Sequence, residues 1–211
     1  MLNNITITDI RKTKKGLNAL FSENGFLFSV DAMLLVQYKI KTGSCFSQQE
    51  LTLLYEKSNT NKAVQKAYNL LSYRSHSRSE LYTKLCRNFD SDCAEAACDK
   101  MEEYGLINDE EYCKAKIEYL INVKKCSLAE VKAKLLTLGI NKDIIECCIQ
   151  LYDSDVQAEN LRYIIEKKYY SKLDQPQKVI ASLMRKGFRY NEIRAALQTL
   201  DIETEDENQW L

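Results

Sequence analysis

The sequence predicts a mainly α-helical protein: tandem three-helix, helix-turn-helix-like repeats in an elongated array, preceded by a small α+β module with a three-stranded β-sheet. Three observations predict it. Residues 77–85, SRSELYTKL, return as residues 127–135, SLAEVKAKL, and more weakly as residues 176–183, PQKVIASL. Each copy is followed three or four residues later by Asn88, Gly139 or Gly187, and then by a second apolar-periodic run. Near the start, residues 5–12 instead alternate apolar and polar side chains, and an Asn-Gly pair follows at residues 24–25. A recurrence at about 50 residues is the mark of a repeat architecture, whereas period-two alternation marks half-buried strands.

Setting the copies in register aligns Leu81, Val131 and Val179, then Leu85, Leu135 and Leu183. Beyond the turn, Phe89, Ile140 and Phe188 coincide, and upstream so do Ala67, Ile117 and Ile165. The first copy is one residue shorter before its turn. Apolar positions every three or four residues make each unit a helix trio. The expected organisation is residues 1–58 as the α+β module, 61–105, 106–153 and 154–200 as repeats one to three, and 201–211 as an acidic, disordered tail.

In chain order, residues 5–12, ITITDIRK, read as a strand, being alternating and rich in β-branched side chains. Residues 17–23 and 26–30 flank Asn24-Gly25, which suits a two-residue hairpin turn. That turn sets Glu23 opposite Phe26 and Phe21 opposite Phe28. Asp31 is an N-cap for a helix over residues 32–40, with Gly43 as its stop. Ser47 and Glu50 form a capping box that opens a helix to about Lys57, which Ser58-Asn59-Thr60 should break.

In repeat one, helices are expected over residues 61–73, 77–87 and 90–104, with Ser77 or Ser79 as a cap and Asn88 left-handed in place of Gly. In repeat two they span 109–123, 127–138 and 141–152, opened by Asn108 or Asp109; in repeat three, 155–170, 176–186 and 190–200. Pro176 suits a first helical turn.

Thirty Lys and Arg balance thirty Asp and Glu. The neutral total conceals a body (residues 61–200) with 23 basic against 20 acidic residues, and an end (201–211) with five acidic residues and no basic one. No apolar run approaches the roughly 18 residues that span a bilayer, and the start, MLNNITITD, lacks a basic-then-apolar leader. The expectation is a cytoplasmic protein with reduced thiols and no membrane partner. Among the eight cysteines, Cys86, Cys93, Cys98, Cys113 and Cys148 replace apolar residues of other repeats and read as core. Cys45, Cys126 and Cys147 are less constrained. No CxxC pair occurs and His76 is the one histidine, in a polar turn where it should be solvated. No metal and no cofactor are expected, and no nucleotide-binding, metalloprotease or serine-hydrolase motif is present, so no catalytic residues are assigned.

The cations carry the functional signal. Arg74, Arg78, Lys84 and Arg87 bracket the second helix of repeat one; Lys124, Lys125, Lys132 and Lys134 do so in repeat two; Lys172, Lys178, Arg185, Lys186, Arg189 and Arg194 follow in repeat three. Arg74, Lys124 and Lys172 share register, as do Lys84 and Lys134. A cation repeated once per unit can track a phosphate backbone or an acidic groove; it can equally be a solvated helix face. The third helices, CAEAACDKM and DIIECCIQL, are apolar or acidic and carry few residues suited to base reading, which wants Arg, Asn or Gln at the helix start.

The pattern in AYNLLSYRSHSRSELYTKL, then YGLINDEEY, then KAKLLTLGI, resembles the RecX family of bacterial regulatory proteins that modulate RecA. The resemblance covers about residues 61–200, and the N-terminal hairpin module is similar to the extension of many Gram-positive members. It implies tandem three-helix repeats and a non-enzymatic protein. Such a protein binds RecA–DNA filaments and inhibits or modulates RecA's recombinase, ATPase and coprotease activities, in DNA repair and SOS control. It implies a monomer whose partners are the RecA filament and, more weakly, single- or double-stranded DNA. The filament- or DNA-binding candidates are Arg74, Arg78, Lys84, Arg87, Lys124, Lys125, Lys132, Lys134, Arg185 and Lys186, while Leu81, Leu85 and Leu106 read as core. The alternative is a helical repeat protein that binds nucleic acid without sequence or RecA specificity.

Overall fold

A computed structural model describes residues 4–150, 152 and 154–200; the expected acidic tail lies outside the described residues. The chain falls into two compact units. One comprises residues up to His76 together with Leu81–Ile107, the other Ser77–Glu80 together with Asn108 onward. The protein is mostly helical, with three-helix repeats and a small antiparallel sheet of three strands.

The first unit opens with the sheet. The strand expected over residues 5–12 is two strands: β1 (Ile5–Thr6), which pairs with β5 (Cys45–Phe46), and β2 (Asp9–Lys12), which joins β3 (Asn18–Ser22) and β4 (Gly25–Val30). The hairpin turn falls one residue earlier than expected, which moves the pairing beside it by two residues. Ser22 pairs with Gly25 and Phe21 with Phe26, and a bulge then sets Leu20 opposite Phe28. The loop is therefore Glu23-Asn24, with Gly25 alone carrying positive φ there. The slip keeps Leu20 and Phe28 together on the buried face, and a wrong register would turn every side chain over. The Phe21 and Phe26 rings still meet edge to face at 5.7 Å.

Asp31 caps α1 (Ala32–Gln37), accepting from the Leu34 N–H at 2.8 Å. This helix is shorter than expected, because Lys39 takes the left-handed conformation (φ 50°) well before Gly43. The capping box of Ser47 and Glu50 opens α2 (Gln48–Tyr73). Ser58-Asn59-Thr60 does not break it: the helix runs on for 26 residues. Tertiary partners override the weak local propensity. Ser58 is buried and donates to the Ser29 carbonyl at 2.6 Å, Thr60 donates back to Glu56, and Asn61 reaches the Asp31 carboxylate at 2.7 Å. One helix thus lies on the sheet with its first half and packs α4 (Ser91–Glu103) with its second.

Between these helices runs α3 (Arg78–Leu85), capped by Ser77. Ala63, Ala67, Leu81, Leu85, Ala97, Cys98 and Met101 form the core of the first repeat. Asn88 does not take positive φ; in a turn one residue shorter, its N–H and that of Phe89 both close onto the Leu85 carbonyl. Leu106, expected as core, is 43% exposed, and Ile107 is buried in its place.

The second unit holds repeats two and three. Asn108 caps α5 (Asp109–Glu118), which passes into a π-turn at Tyr119–Val123; α6 (Leu128–Thr137) and α7 (Lys142–Ile149) complete the trio. Repeat three has α8 (Ser154–Ile164), a second π-turn at Ile165–Tyr169, α9 (Pro176–Arg185) and α10 (Tyr190–Gln198). Each trio has its own core, around Ile117, Ile121 and Leu135 in one and Leu161, Ile165 and Leu183 in the other.

Two serines join elements within this unit. The Ser77 hydroxyl accepts from the Glu80 N–H at 3.1 Å and donates to the Leu138 carbonyl at 2.6 Å. The Ser127 hydroxyl accepts from the Glu130 N–H at 3.1 Å and donates to the Lys186 carbonyl at 2.6 Å. Each serine thus caps its own helix and satisfies an orphan carbonyl at the end of the next repeat's second helix. The glycine beyond that carbonyl has two reasons to be glycine. Gly139 and Gly187 have φ of +72° and +87°, and a Cβ would lie 2.1 Å from Ser79 Oγ in one and 2.8 Å from Ala129 Cβ in the other.

Candidate functional site

The π-turns determine where the cations of the second unit go. A π-turn adds a residue to the helix and re-aims the chain beyond it. After Tyr119–Val123 the chain delivers Lys124 and Lys125, and Lys125 sits at φ 56°, a strained conformation for a residue with a long side chain. Lys168 lies in the second π-turn. With Lys134 of α6, Arg185 of α9 and Lys186 they line an open concavity of about 560 Å³. Six of its described lining residues are cationic and one, Glu130, is acidic.

Tyrosine rings steady several of these ammonium groups. Lys124 Nζ lies 5.6 Å from the Tyr119 centroid, Lys125 Nζ 5.6 Å from Tyr163 and Lys186 Nζ 5.7 Å from Tyr169. Such contacts are worth about 0.5–1 kcal/mol at exposed sites. They leave the charge uncancelled, as a carboxylate would not. Lys134 differs: its ammonium meets Glu130 at 2.7 Å, and that carboxylate raises its pKa.

Of the ten candidate cations, the cleft gathers Lys124, Lys125, Lys134, Arg185 and Lys186. Lys132 stands elsewhere, bonded to both oxygens of Glu146 at 2.8 Å. Arg74, Lys84 and Arg87 belong to the first unit and Arg78 to the first turn of α3; none lines the cleft. Lys168 is not among the candidates, because no counterpart in another repeat announces it. Its one signal is the run of tyrosines and lysines YIIEKKYYSK at residues 163–172.

The recurrent position Lys84/Lys134 has a structural task. His76 is not solvated: it is 3% exposed, its Nδ1 lies 2.9 Å from the Arg74 carbonyl and its Nε2 2.7 Å from Lys84 Nζ. An ammonium can only donate, so Nε2 accepts and Nδ1 carries the proton. Cys126, eight residues before Lys134 as His76 is before Lys84, is likewise buried, with Lys134 Nζ 3.5 Å from its sulfur. Burial pushes the Cys126 thiol upward. In repeat three Ser182 holds the lysine's place and bonds the Tyr169 hydroxyl at 2.8 Å.

Among the remaining cysteines, Cys93, Cys98, Cys113 and Cys148 are buried as expected. Burial, reinforced by Cys148, pushes Cys113 up to about 12, which keeps it a thiol. Cys86 is exposed, in contrast to the core role read from its alignment; its register partners Leu136 and Met184 are 52% and 49% exposed, so the position faces solvent in all three repeats. Among the described residues no cluster of three metal-ligating side chains occurs, and no helix is long and apolar enough to cross a membrane.

Comparison with known proteins agrees with this architecture. The profile for RecX, first three-helix domain, matches residues 63–101, and that for RecX, third three-helix domain, matches residues 155–197. The regulatory protein RecX of Clostridioides difficile is 28% identical over 201 residues, covering 92% of this chain and 95% of the relative. That of Bacillus velezensis is 29% identical over 216 residues, covering 95% and 80%. A crystal structure of a regulatory protein RecX superposes with a TM-score of 0.70 at 22% identity, covering 94% of this chain and all of that one. RecX from Lactobacillus salivarius gives 0.61 at 28% identity, covering 69% and 98%. First- and third-repeat signatures in the right order, and similarity over most of the length of these relatives, support a RecX family protein.

Proposed function

We propose that this protein is a non-enzymatic regulator that binds RecA nucleoprotein filaments and restrains RecA's recombinase, ATPase and coprotease activities. Two things support the reading: relatives named regulatory protein RecX, and one physical observation that carries it. That observation is the lysine cleft, where Lys124, Lys125, Lys168, Arg185 and Lys186 crowd into one concavity beside a single described carboxylate. Like charges held together cost energy unless a partner neutralises them. A filament offers such a partner in DNA phosphates and acidic protein surface alike, and its periodicity lets weak contacts from successive repeats add. The protein acts as a monomer in the cytoplasm, through contact alone.

The test is RecA's ATPase on single-stranded DNA. The protein should suppress it at well under one molecule per RecA protomer; unchanged turnover at saturating protein rejects the reading. A second reading, nucleic-acid binding without RecA specificity, is favoured by the tyrosine rings beside the cleft lysines, since aromatic and cationic side chains together suit single strands. It requires tight binding to DNA alone, with affinity falling steeply as salt rises. Binding to DNA alone that barely responds to salt counts against it.

A further inference from the structure

Beside the lysine cleft, in the same unit, lies a second concavity of about 670 Å³. Ala129 and Gly187 line both hollows. These two small residues touch, since a Cβ on Gly187 would lie 2.8 Å from that of Ala129. The second hollow differs in kind from the first. Leu128, Ile149 and the half-buried Tyr152 give it apolar walls. Glu192 in its wall accepts from the Arg189 N–H at 3.0 Å. Gln157 of α8 also lines it and is 8% exposed. Its Oε1 accepts from the Leu128 N–H at 3.1 Å, which fixes the amide's orientation, because a flipped amide would set donor against donor. Its Nε2 is then a buried donor without an acceptor. Groups of this kind are rare in folded proteins and point to an absent partner. An acceptor that reaches a donor screened from water gains more than it would at the surface. The side-chain shift that admits it is common on binding.

The ligand that fits bears an acceptor oxygen on a flat, uncharged, largely apolar group, joined to an anion that can lie in the neighbouring cleft. A nucleobase on a single strand has all of these. Thymine presents carbonyl oxygens and adenine presents none. A bare polyphosphate would leave the apolar walls unused, and a duplex keeps its bases in the stack. A protein segment also carries carbonyls, but the tyrosine rings beside Lys124, Lys125 and Lys186 suit a nucleic acid better. We propose that the second concavity receives one unstacked base of a single-stranded nucleic acid whose phosphates lie in the lysine cleft, with Gln157 Nε2 donating to a carbonyl oxygen of that base. The inference rests on the cleft taking phosphates, one of the two kinds of contact a filament offers it.

The test titrates the full-length protein into fluorescein-labelled strands of about ten nucleotides, read by anisotropy at low salt. One strand is abasic throughout, one has a single central thymine, and one a single central adenine. The abasic strand should bind through its phosphates, more weakly as salt rises. The thymine strand should bind about tenfold tighter than the abasic one, with the adenine strand between them. Gln157→Glu keeps the acceptor for the Leu128 N–H but replaces the donor, so the thymine gain should fall to that of adenine. Ala195→Trp fills the concavity from an exposed position on α10. It should abolish the gain of both bases and leave the abasic affinity unchanged. Comparing strands within one variant cancels any change in overall charge. Equal affinity of the parent for thymine and abasic strands overturns the inference and leaves the concavity to a protein segment. A thymine gain that survives both substitutions overturns it too, because the base is then held elsewhere. An abasic strand that does not bind removes the phosphate contact beneath the inference, a failure distinct from a missing thymine gain.

Discussion

The Ser77 and Ser127 joints are built from the same parts but are packed differently. In both, one hydroxyl caps its own helix at 3.1 Å and donates at 2.6 Å to a carbonyl about sixty residues ahead. Behind each serine a buried residue is tied to a lysine eight positions later, His76 to Lys84 and Cys126 to Lys134. The glycines differ. A Cβ on Gly139 would meet both Cβ and Oγ of Ser79, at 2.4 and 2.1 Å, whereas one on Gly187 would meet Ala129 Cβ and Ser127 Oγ at 2.8 Å. The difference teaches that hydrogen-bond chemistry fixes the joint, while the room left for the backbone is set locally by residue 79 or 129. Repeat three breaks the pattern: Gln175 makes no side-chain cap, and Pro176 starts α9 instead.

The glycines should give the largest effects. Gly139→Ala combines a positive φ with a contact that Ser79 cannot relieve by rotating, since its Cβ is also too close. It should cost on the order of 3 kcal/mol, against about 2 kcal/mol for Gly187→Ala, read from urea unfolding. Ser79→Gly in the Gly139→Ala background should recover part of the loss. Equal costs at the two glycines would erase the difference in packing.

The serines come next. Ser77→Ala and Ser127→Ala each remove a cap and leave a carbonyl without its donor, for about 1–2 kcal/mol apiece. A clear loss at one and none at the other, by the same unfolding measurement, would break the equivalence of the joints.

The smallest effect lies at the third helices. Asp90 caps α4 where Asn141 caps α7, a charged cap against a neutral one. The Cys93 N–H holds the Asp90 carboxyl below the usual carboxylate range. A lowered folded pKa means that the stabilisation is present above the unfolded value of about 4 and disappears as pH falls through the folded value. Acid titration of stability should therefore show a contribution of at most about 1 kcal/mol that Asp90→Asn removes and Asn141→Ala leaves unchanged.

Much of this was legible in the sequence because repetition supplied its own control. Leu81, Val131 and Val179 share a register only if they share a core, and all three are buried. The capping signals at Ser47, Ser77 and Asn108 match the hydrogen bonds found there, since caps are local. What failed depended on distant partners. Ser58 continues α2 because Ser29 accepts its hydroxyl, and His76 is buried because Lys84 reaches its ring. The cleft was half legible: register singled out Lys124 and Lys134, but Lys168 enters through a π-turn that no propensity predicts.

The account rests on the lysine cleft as the contact surface for a RecA filament, and paired charge reversals measure this most directly. RecA's ATPase on single-stranded DNA would be followed with the parent protein, with Lys124→Glu plus Arg185→Glu from the cleft, and with Lys132→Glu, whose ammonium is already held by Glu146. The account predicts inhibition by the parent and by the Lys132 variant, and loss of at least about tenfold in potency for the cleft variant. Equal potency of all three would contradict it.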